Sequence, residues 1–377
     1  MYRFVYMVLA LAGVAAAAAG APADAPREQA RQYMALQREL MAAFRDARYE
    51  DALALSEKMA ALVPDRPEPP YNIACAQARL GRRDEAFKSL AKAVALGYDD
   101  PAHMREDPDL EGLRGDPRFE ALAAKAREAE TKGDYDRGAE MPGVRTVEGF
   151  PEGGLRFRLR MPPGAMAERP CRLVVWLHPA GGAMNDTVEG LVPMLHERGW
   201  ALLVFTQKNF AYWTEGDGRR LRRTLPEVAK VPGLDARRPV LFGYSAGGQM
   251  ALELYRDKPG DFGGLVLDAA YPIRTEGGRI TLAAPPADAA AKDVPIYALV
   301  GTRDGGSVLW NRAETSWREA GVPLSVEYVA GKGHAWLVGK AQAARIGSWL
   351  AAVAAGKKPI GTVVGDPPVP NRAEQAL

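Results

Sequence analysis

Residues 243 to 248 read Gly-Tyr-Ser-Ala-Gly-Gly and directly follow the apolar run Pro239-Val240-Leu241-Phe242. A G-x-S-x-G sequence leaving a short buried strand lifts a serine hydroxyl clear of a sheet edge, because the chain must reverse sharply from strand into helix. The serine then sits in strained backbone space, and side chains on either side of it would clash, so Gly243 and Gly247 are required. The next residues, Gln249-Met250-Ala251-Leu252-Glu253-Leu254-Tyr255, have helical spacing. That spacing would point the Ala246 N–H from a helix N-terminus toward a developing oxyanion. Ser245 is therefore the candidate nucleophile, with Tyr244 beside it as a candidate substrate contact.

A serine needs a base, and the chain has four histidines: His103, His178, His196 and His334. His334 lies in Gly331-Lys332-Gly333-His334-Ala335-Trp336, after the alternating stretch Leu324-Ser325-Val326-Glu327-Tyr328-Val329 that reads as the last strand. A glycine-rich loop leaving a terminal strand can swing an imidazole to the serine, whereas His196 falls in a helical stretch. The third member is a carboxylate that holds the imidazole in one tautomer. Asp304, after Ile296-Tyr297-Ala298-Leu299-Val300 and the turn Gly301-Thr302-Arg303, fits best; Asp268, ending Leu265-Val266-Leu267, is its rival. The order Ser245, Asp304, His334 is the one expected for an α/β-hydrolase.

The oxyanion needs a second donor. Leu173-Val174-Val175-Trp176-Leu177 reads as an earlier central strand, and His178-Pro179-Ala180-Gly181-Gly182 as the loop that supplies the donor, with the N–H groups of Ala180 and Gly181 as candidates. One such donor is worth about 2.7–4 kcal/mol of transition-state stabilisation. His178 is expected to brace this loop. Phe210, Tyr212 and Trp213, with Trp336 beside the base, read equally as an aromatic wall for substrate or as loop packing.

Residues from about 145 to 355 resemble the α/β-hydrolase superfamily, and within it the esterases that include polyhydroxybutyrate depolymerase-like and feruloyl esterase-like enzymes. The Ser-Ala-Gly-Gly elbow and the Gly-His-Ala-Trp loop carry the finer match; Pro179 departs from it, since the group usually has glycine after the first oxyanion-loop histidine. The resemblance implies a doubly wound, mostly parallel α/β sheet over residues 144–356, and a serine esterase that needs no cofactor and no metal. Only 23 residues, 271 to 293, separate Ala270 from Val294. That leaves little room for a multi-helix cap, so an open site for bulky or polymer-linked esters is expected. The other readings are a serine peptidase fed by the N-terminal repeats, and an envelope scaffold with a vestigial hydrolase; the intact Ser, Asp and His set argues against the second.

Residues 37 to 70 and 71 to 104 superpose at a shift of 34: Asp51-Ala52 falls on Glu85-Ala86, Ala42 on Ala76, Arg45 on Arg79, Arg48 on Arg82 and Pro67 on Pro101. A 34-residue period with small residues at helix contacts resembles tetratricopeptide repeats, in which neither helix buries its apolar face alone. A helical repeat domain is expected over 27–130, its last helix around Phe119 to Lys125 capping the stack, with a linker at 131–143 and an extended tail at 357–377. The concave face would bind a protein or peptide partner, or the module would pack to support the hydrolase.

At 377 residues the chain is long enough for two domains, and its net charge of +2 gives no general attraction to nucleic acid. The basic run Arg219-Arg220-Leu221-Arg222-Arg223 reads as a solvated helix face. Cys75 and Cys171 fall one in each half, which implies buried thiols and no disulfide framework, a single interdomain bridge being the alternative. Arg3, an apolar stretch from Phe4 to about Ala19, and Ala-Pro-Ala at 21 to 23 read as a signal peptide over 1–23. The apolar stretch is too short for a comfortable membrane span, so a secreted or periplasmic location is expected, an uncleaved anchor being the alternative.

Overall fold

A computed structural model of the chain describes residues 25–132, 135–206, 213, 215–276, 279–361 and 365. The expected signal peptide, Phe210, Tyr212 and most of the tail lie outside the described residues. The chain divides between Asp134 and Tyr135 into two compact units.

The first unit is all helical: α1 (Ala25–Arg45), α2 (Tyr49–Leu62), α3 (Glu68–Arg79), α4 (Arg83–Ala95), α5 (Pro101–Glu106), a 3-10 turn (Pro108–Leu113) and α6 (Pro117–Lys132). α1 and α3 end 34 residues apart, as α2 and α4 begin 34 residues apart. The turn between paired helices repeats as well, with Ala47 at φ 55° where Gly81 stands at φ 77°. Ala43, Ala52, Ala76 and Ala86 are fully buried, so the helices approach closely without strain. α6 buries Phe119, Ala123 and Ala126 in the same core as α3 and α4. Asp107 organises the break before it, accepting the Asp109 N–H on one oxygen and the Tyr71 hydroxyl on the other.

The second unit is built on a sheet. Its elements are β1 (Arg145–Gly149), β2 (Phe157–Met161), β3 (Cys171–Leu177), α7 (Asn185–Glu189), α8 (Val192–His196), β4 (Trp200–Phe205), α9 (Glu215–Val228), β5 (Leu234–Tyr244), α10 (Ala246–Asp257), β6 (Gly264–Asp268), β7 (Ile273–Glu276), β8 (Arg279–Leu282), β9 (Ile296–Gly301), α11 (Ser307–Glu319), β10 (Leu324–Val329) and α12 (Lys340–Ala354). Eight strands pair in the order β1-β2-β4-β3-β5-β6-β9-β10, and β7 and β8 form a separate hairpin. β2 is antiparallel to both β1 and β4; the pairs from β4 through β10 are parallel. Leu173, Val175 and Leu177 of β3 enter one core with Leu221, Met250 and Trp310, while Val174 and Trp176 enter the other with Val188, Leu195 and Trp349. Helices thus cover both faces, which is why the central strands are continuously apolar instead of alternating. This mostly parallel sheet with flanking helices fits an α/β-hydrolase fold.

The segment expected to be a linker is divided between the units. Residues 131–132 finish α6, and from Tyr135 the chain is tied to the sheet. The Asp136 N–H donates to the Thr206 carbonyl. Arg158 donates to Asp136 and Glu189, and Arg160 to Glu189 and the Ala139 carbonyl. Two arginines on what would be the polar face of β2 are thereby fully enclosed. At the far end, the Gly361 N–H donates to the Leu324 carbonyl, so the start of the tail lies along β10.

Candidate active site

The elbow is as cramped as its glycines require. Ser245 has φ 51° and ψ −115°, a region that costs a non-glycine residue on the order of 1–3 kcal/mol and persists only where the surroundings enforce it. The enforcement is visible: a Cβ on Gly243 would overlap the Gly247 backbone, and one on Gly247 would overlap the Leu177 carbonyl. The Ser245 N–H is held by the Asp268 carbonyl at 2.9 Å. α10 begins at Ala246, whose N–H, as the first of a helix, has no intrahelical acceptor.

Three loops at the C-terminal edge of the sheet meet there. Ser245 Oγ lies 2.8 Å from His334 Nε2, and His334 Nδ1 lies 2.8 Å from Asp304 Oδ2. A carboxylate only accepts, so Nδ1 must carry the proton, which leaves Nε2 to accept from the serine hydroxyl. Asp304 is 7% exposed and His334 38% exposed, so the pair is seated in the protein at one end and open to solvent at the other. Burial alone would raise the Asp304 carboxyl. The His334 imidazole, the Tyr271 hydroxyl and the Gly306 N–H together outweigh it and hold the group below the usual carboxylate range. An oriented, negatively charged acid behind an imidazole whose Nε2 meets a hydroxyl is an arrangement that can deprotonate that hydroxyl as it attacks a carbonyl carbon.

Asp268, the rival acid, is fully buried one strand away and makes no hydrogen bond to His334. Its Oδ2 accepts the Leu337 N–H at 3.0 Å, and burial pushes its carboxyl well above the usual range.

The loop after β3 lies directly over the elbow, since the Leu177 and His178 carbonyls are what a Gly247 side chain would meet. Gly181 has φ 87° and Ala180 is half-buried. His178 is buried, its Nδ1 2.6 Å from the Pro179 carbonyl, and burial lowers its pKa to about 4. Of the two readings of Trp213, a ring facing substrate or loop packing, its surroundings favour packing. It is 5% exposed, stacks on His178 at 4.6 Å and donates its indole N–H to the His178 carbonyl at 2.8 Å. It braces the loop from beneath because its ring fills the core beside Phe205. Trp336 is half-buried, stacked on Phe242 at 5.8 Å and edge-on to Trp176 and Tyr244, while Tyr244 stacks on the His334 ring at 6.1 Å. These aromatics form the bed of the base loop first.

The basic run on α9 is more engaged than a solvated face: Arg220 is buried and donates to the Gly154 carbonyl, and Arg222 pairs with Asp257 and Asp261. Cys75 and Cys171 are buried thiols, not a disulfide. Cys75, Asp107 and Asp109 approach ligand spacing, but Asp107 spends its oxygens on the turn of the helical unit, so the group reads as structural. Residue types alone did not reveal Tyr271, Gln249 and Gly306. Gln249 donates to the Tyr271 carbonyl at 2.9 Å, and the Tyr271 ring occupies the space where a Gly306 side chain would be.

No family model matches the chain. Among curated proteins, a chloroplastic protein of Arabidopsis thaliana is 32% identical over 84 residues, 21% of this chain and 24% of that protein. The chain thus spans about a quarter of the length of that relative. Among solved structures, it is similar to an S-formylglutathione hydrolase from Agrobacterium tumefaciens, at 15% identity and a TM-score of 0.43, covering 59% of this chain and 99% of that one. It is also similar to a carboxylesterase from Mesorhizobium loti, at 18% identity and a TM-score of 0.42, covering 55% and 99%. The carboxylesterase of Bacillus cereus is 19% identical with a TM-score of 0.39, covering 53% and 94%.

Proposed function

We propose that the chain is a serine hydrolase that cleaves carboxylic esters through an acyl-enzyme on Ser245. The observation that carries this reading is the hydrogen-bonded run from Ser245 Oγ through His334 to Asp304, both links at 2.8 Å, with the serine in a strained elbow. In the reaction Ser245 Oγ attacks the ester carbonyl while His334 Nε2 takes its proton. The N–H groups of Ala246 and of Ala180 or Gly181 hold the resulting oxyanion. Collapse expels the alcohol, which receives the proton from His334, and water repeats the sequence to free the acid. Tyr244 and Trp336 are proposed to touch substrate with the exposed edges left after packing.

Bulky or polymer-linked esters suit the surroundings. Between β6 and β9 the described chain holds the β7–β8 hairpin and one 3-10 turn, Ala289–Asp293, and no helical cap. The 34-residue helical hairpins resemble tetratricopeptide repeats and are proposed to bind a protein or peptide partner. Export to the periplasm or beyond rests on the composition of residues 1–23. The test is fluorophosphonate labelling of the full chain beside a panel of esters and amides. Labelling at Ser245 with ester turnover supports the reading, amide turnover of equal efficiency would make the enzyme a peptidase, and no labelling would remove the nucleophile.

A further inference from the structure

The end of β6 touches all three loops that bear the candidate triad. The Asp268 carbonyl accepts the Ser245 N–H at 2.9 Å, and the Asp268 Oδ2 accepts the N–H of Leu337, three residues beyond His334, at 3.0 Å. One residue on, Ala269 sits at φ 45°, left-handed for a side chain, and its N–H is held by the Leu299 carbonyl of β9. Trp310, on the helix that follows Asp304, donates to the Ala270 carbonyl at 2.7 Å. Gln249, on the nucleophile's helix, donates to the Tyr271 carbonyl, and the buried Tyr271 hydroxyl faces Asp304.

We propose that Asp268 is a positioning residue for the triad: its main chain holds the nucleophile elbow and its side chain ties the base loop to the same point of β6, while it touches no reacting atom. This rests on the reading of Ser245, His334 and Asp304 as the triad. Asp268 works as a neutral acid. Its side chain is fully enclosed, its Oδ1 has no hydrogen-bond partner in the structure, and its one donor is a backbone N–H. An ionised carboxylate so placed would be strongly disfavoured, and burial accordingly pushes the group well above the usual carboxylate range. The titratable groups that feel it are Tyr244 on β5 and Tyr271 beyond β6, and both also feel Asp304. β9 and the base loop present apolar Leu299 and Leu337.

Two replacements that keep the forked shape of the side chain separate this role from that of a charged acid. Asp268→Asn keeps an acceptor for the Leu337 N–H, so it should hold kcat on a small ester within about threefold. Asp268→Leu loses the acceptor and should lower kcat by about 10–100-fold with KM nearly constant, the cost of a small misplacement of a catalytic group. Amide exchange at residues 335–338 should quicken in Asp268→Leu and not in Asp268→Asn. Melting adds a readout that needs no catalysis. A carboxyl whose folded pKa is raised loses its stabilising share as pH climbs from the unfolded value, about 3.9, toward the folded one. Asparagine does not titrate, so the melting advantage of Asp268→Asn over the native chain should widen from pH 4 upward. The proposal is overturned if Asp268→Asn loses about 10³-fold or more, as a charged triad acid would, if Asp268→Leu matches the native chain in kcat and exchange, or if the melting difference is flat with pH. Should Asp268→Leu not fold, the exchange and melting of Asp268→Asn still decide. A native chain that takes no fluorophosphonate label would sink the esterase reading, and the exchange and melting results would stand apart from it.

Discussion

At the scale of single residues, the hydroxyl, imidazole and carboxylate of the proposed triad would act as a unit, and their removal should not be graded equally. Ser245→Ala should abolish fluorophosphonate labelling and lower nitrophenyl ester turnover by about 10⁴–10⁶-fold; retained labelling would show that another nucleophile does the work. Asp304→Asn should cost about 10⁴-fold, because an amide at that position favours the wrong imidazole tautomer. A ranking in which Asp268→Asn costs more would move the acid to β6. The glycines make a separate prediction from space alone. A Cβ on Gly247 meets the Leu177 carbonyl, which is backbone and cannot swing aside, whereas one on Gly182 meets nothing within 4 Å. Gly247→Ala should therefore lower stability by about 1–3 kcal/mol and spoil the elbow, as overpacking does, while Gly182→Ala should melt like the native chain. Equal melting temperatures for the two would contradict the packing described at the elbow.

Elements decide which of those residues sequence could reveal. The elbow was legible because its chemistry is local: a strand, two glycines and a helix lie in one stretch from Pro239 to Tyr255. The choice of Asp304 over Asp268 was legible only as a contest, since one lies in the turn after a buried strand and the other ends one, and they differ in what encloses them. For Trp213 the sequence left two equal readings, a substrate-facing ring or loop packing, and only the contacts of its ring with His178 and Phe205 favour packing. The same loop yields a pH prediction. His178 stays neutral in the folded chain down to about pH 4, against 6.5 for an unperturbed histidine. A depressed folded value means that stability present above pH 6.5 drains away as pH falls from 6.5 toward 4, because the unfolded chain takes up the proton first. The loss should reach on the order of 2–3 kcal/mol. His178→Gln should remove that slope in a urea-melting series between those two values, even if it is less stable at neutral pH. An unchanged slope would mean that His178 is solvated.

For the whole molecule, composition placed a boundary near the glycine-, aspartate- and arginine-rich stretch but could not say on which side each residue works. Asp136 looks like linker, yet it is the partner that lets Arg158 be enclosed on β2, a strand whose Phe-Arg-Leu-Arg-Met pattern reads as half exposed. Covering that face is a long-range event, and no local signal announces it. The position of the cut therefore decides the outcome of truncation. A fragment that starts at Tyr135 keeps Asp136 and Ala139 for the two arginines and should fold and hydrolyse small esters at close to the full chain's rate. A fragment that starts at Met141 removes those acceptors and leaves part of two buried guanidinium groups unpaired, at about 1–3 kcal/mol for each group left unsatisfied. It should melt well below the longer fragment although the two differ by only six residues, 135 to 140. If both melt together and are equally active, the first strands do not depend on residues 135–140. If instead neither is soluble, the helical repeats are part of what stabilises the sheet unit, and their role is packing before it is recognition.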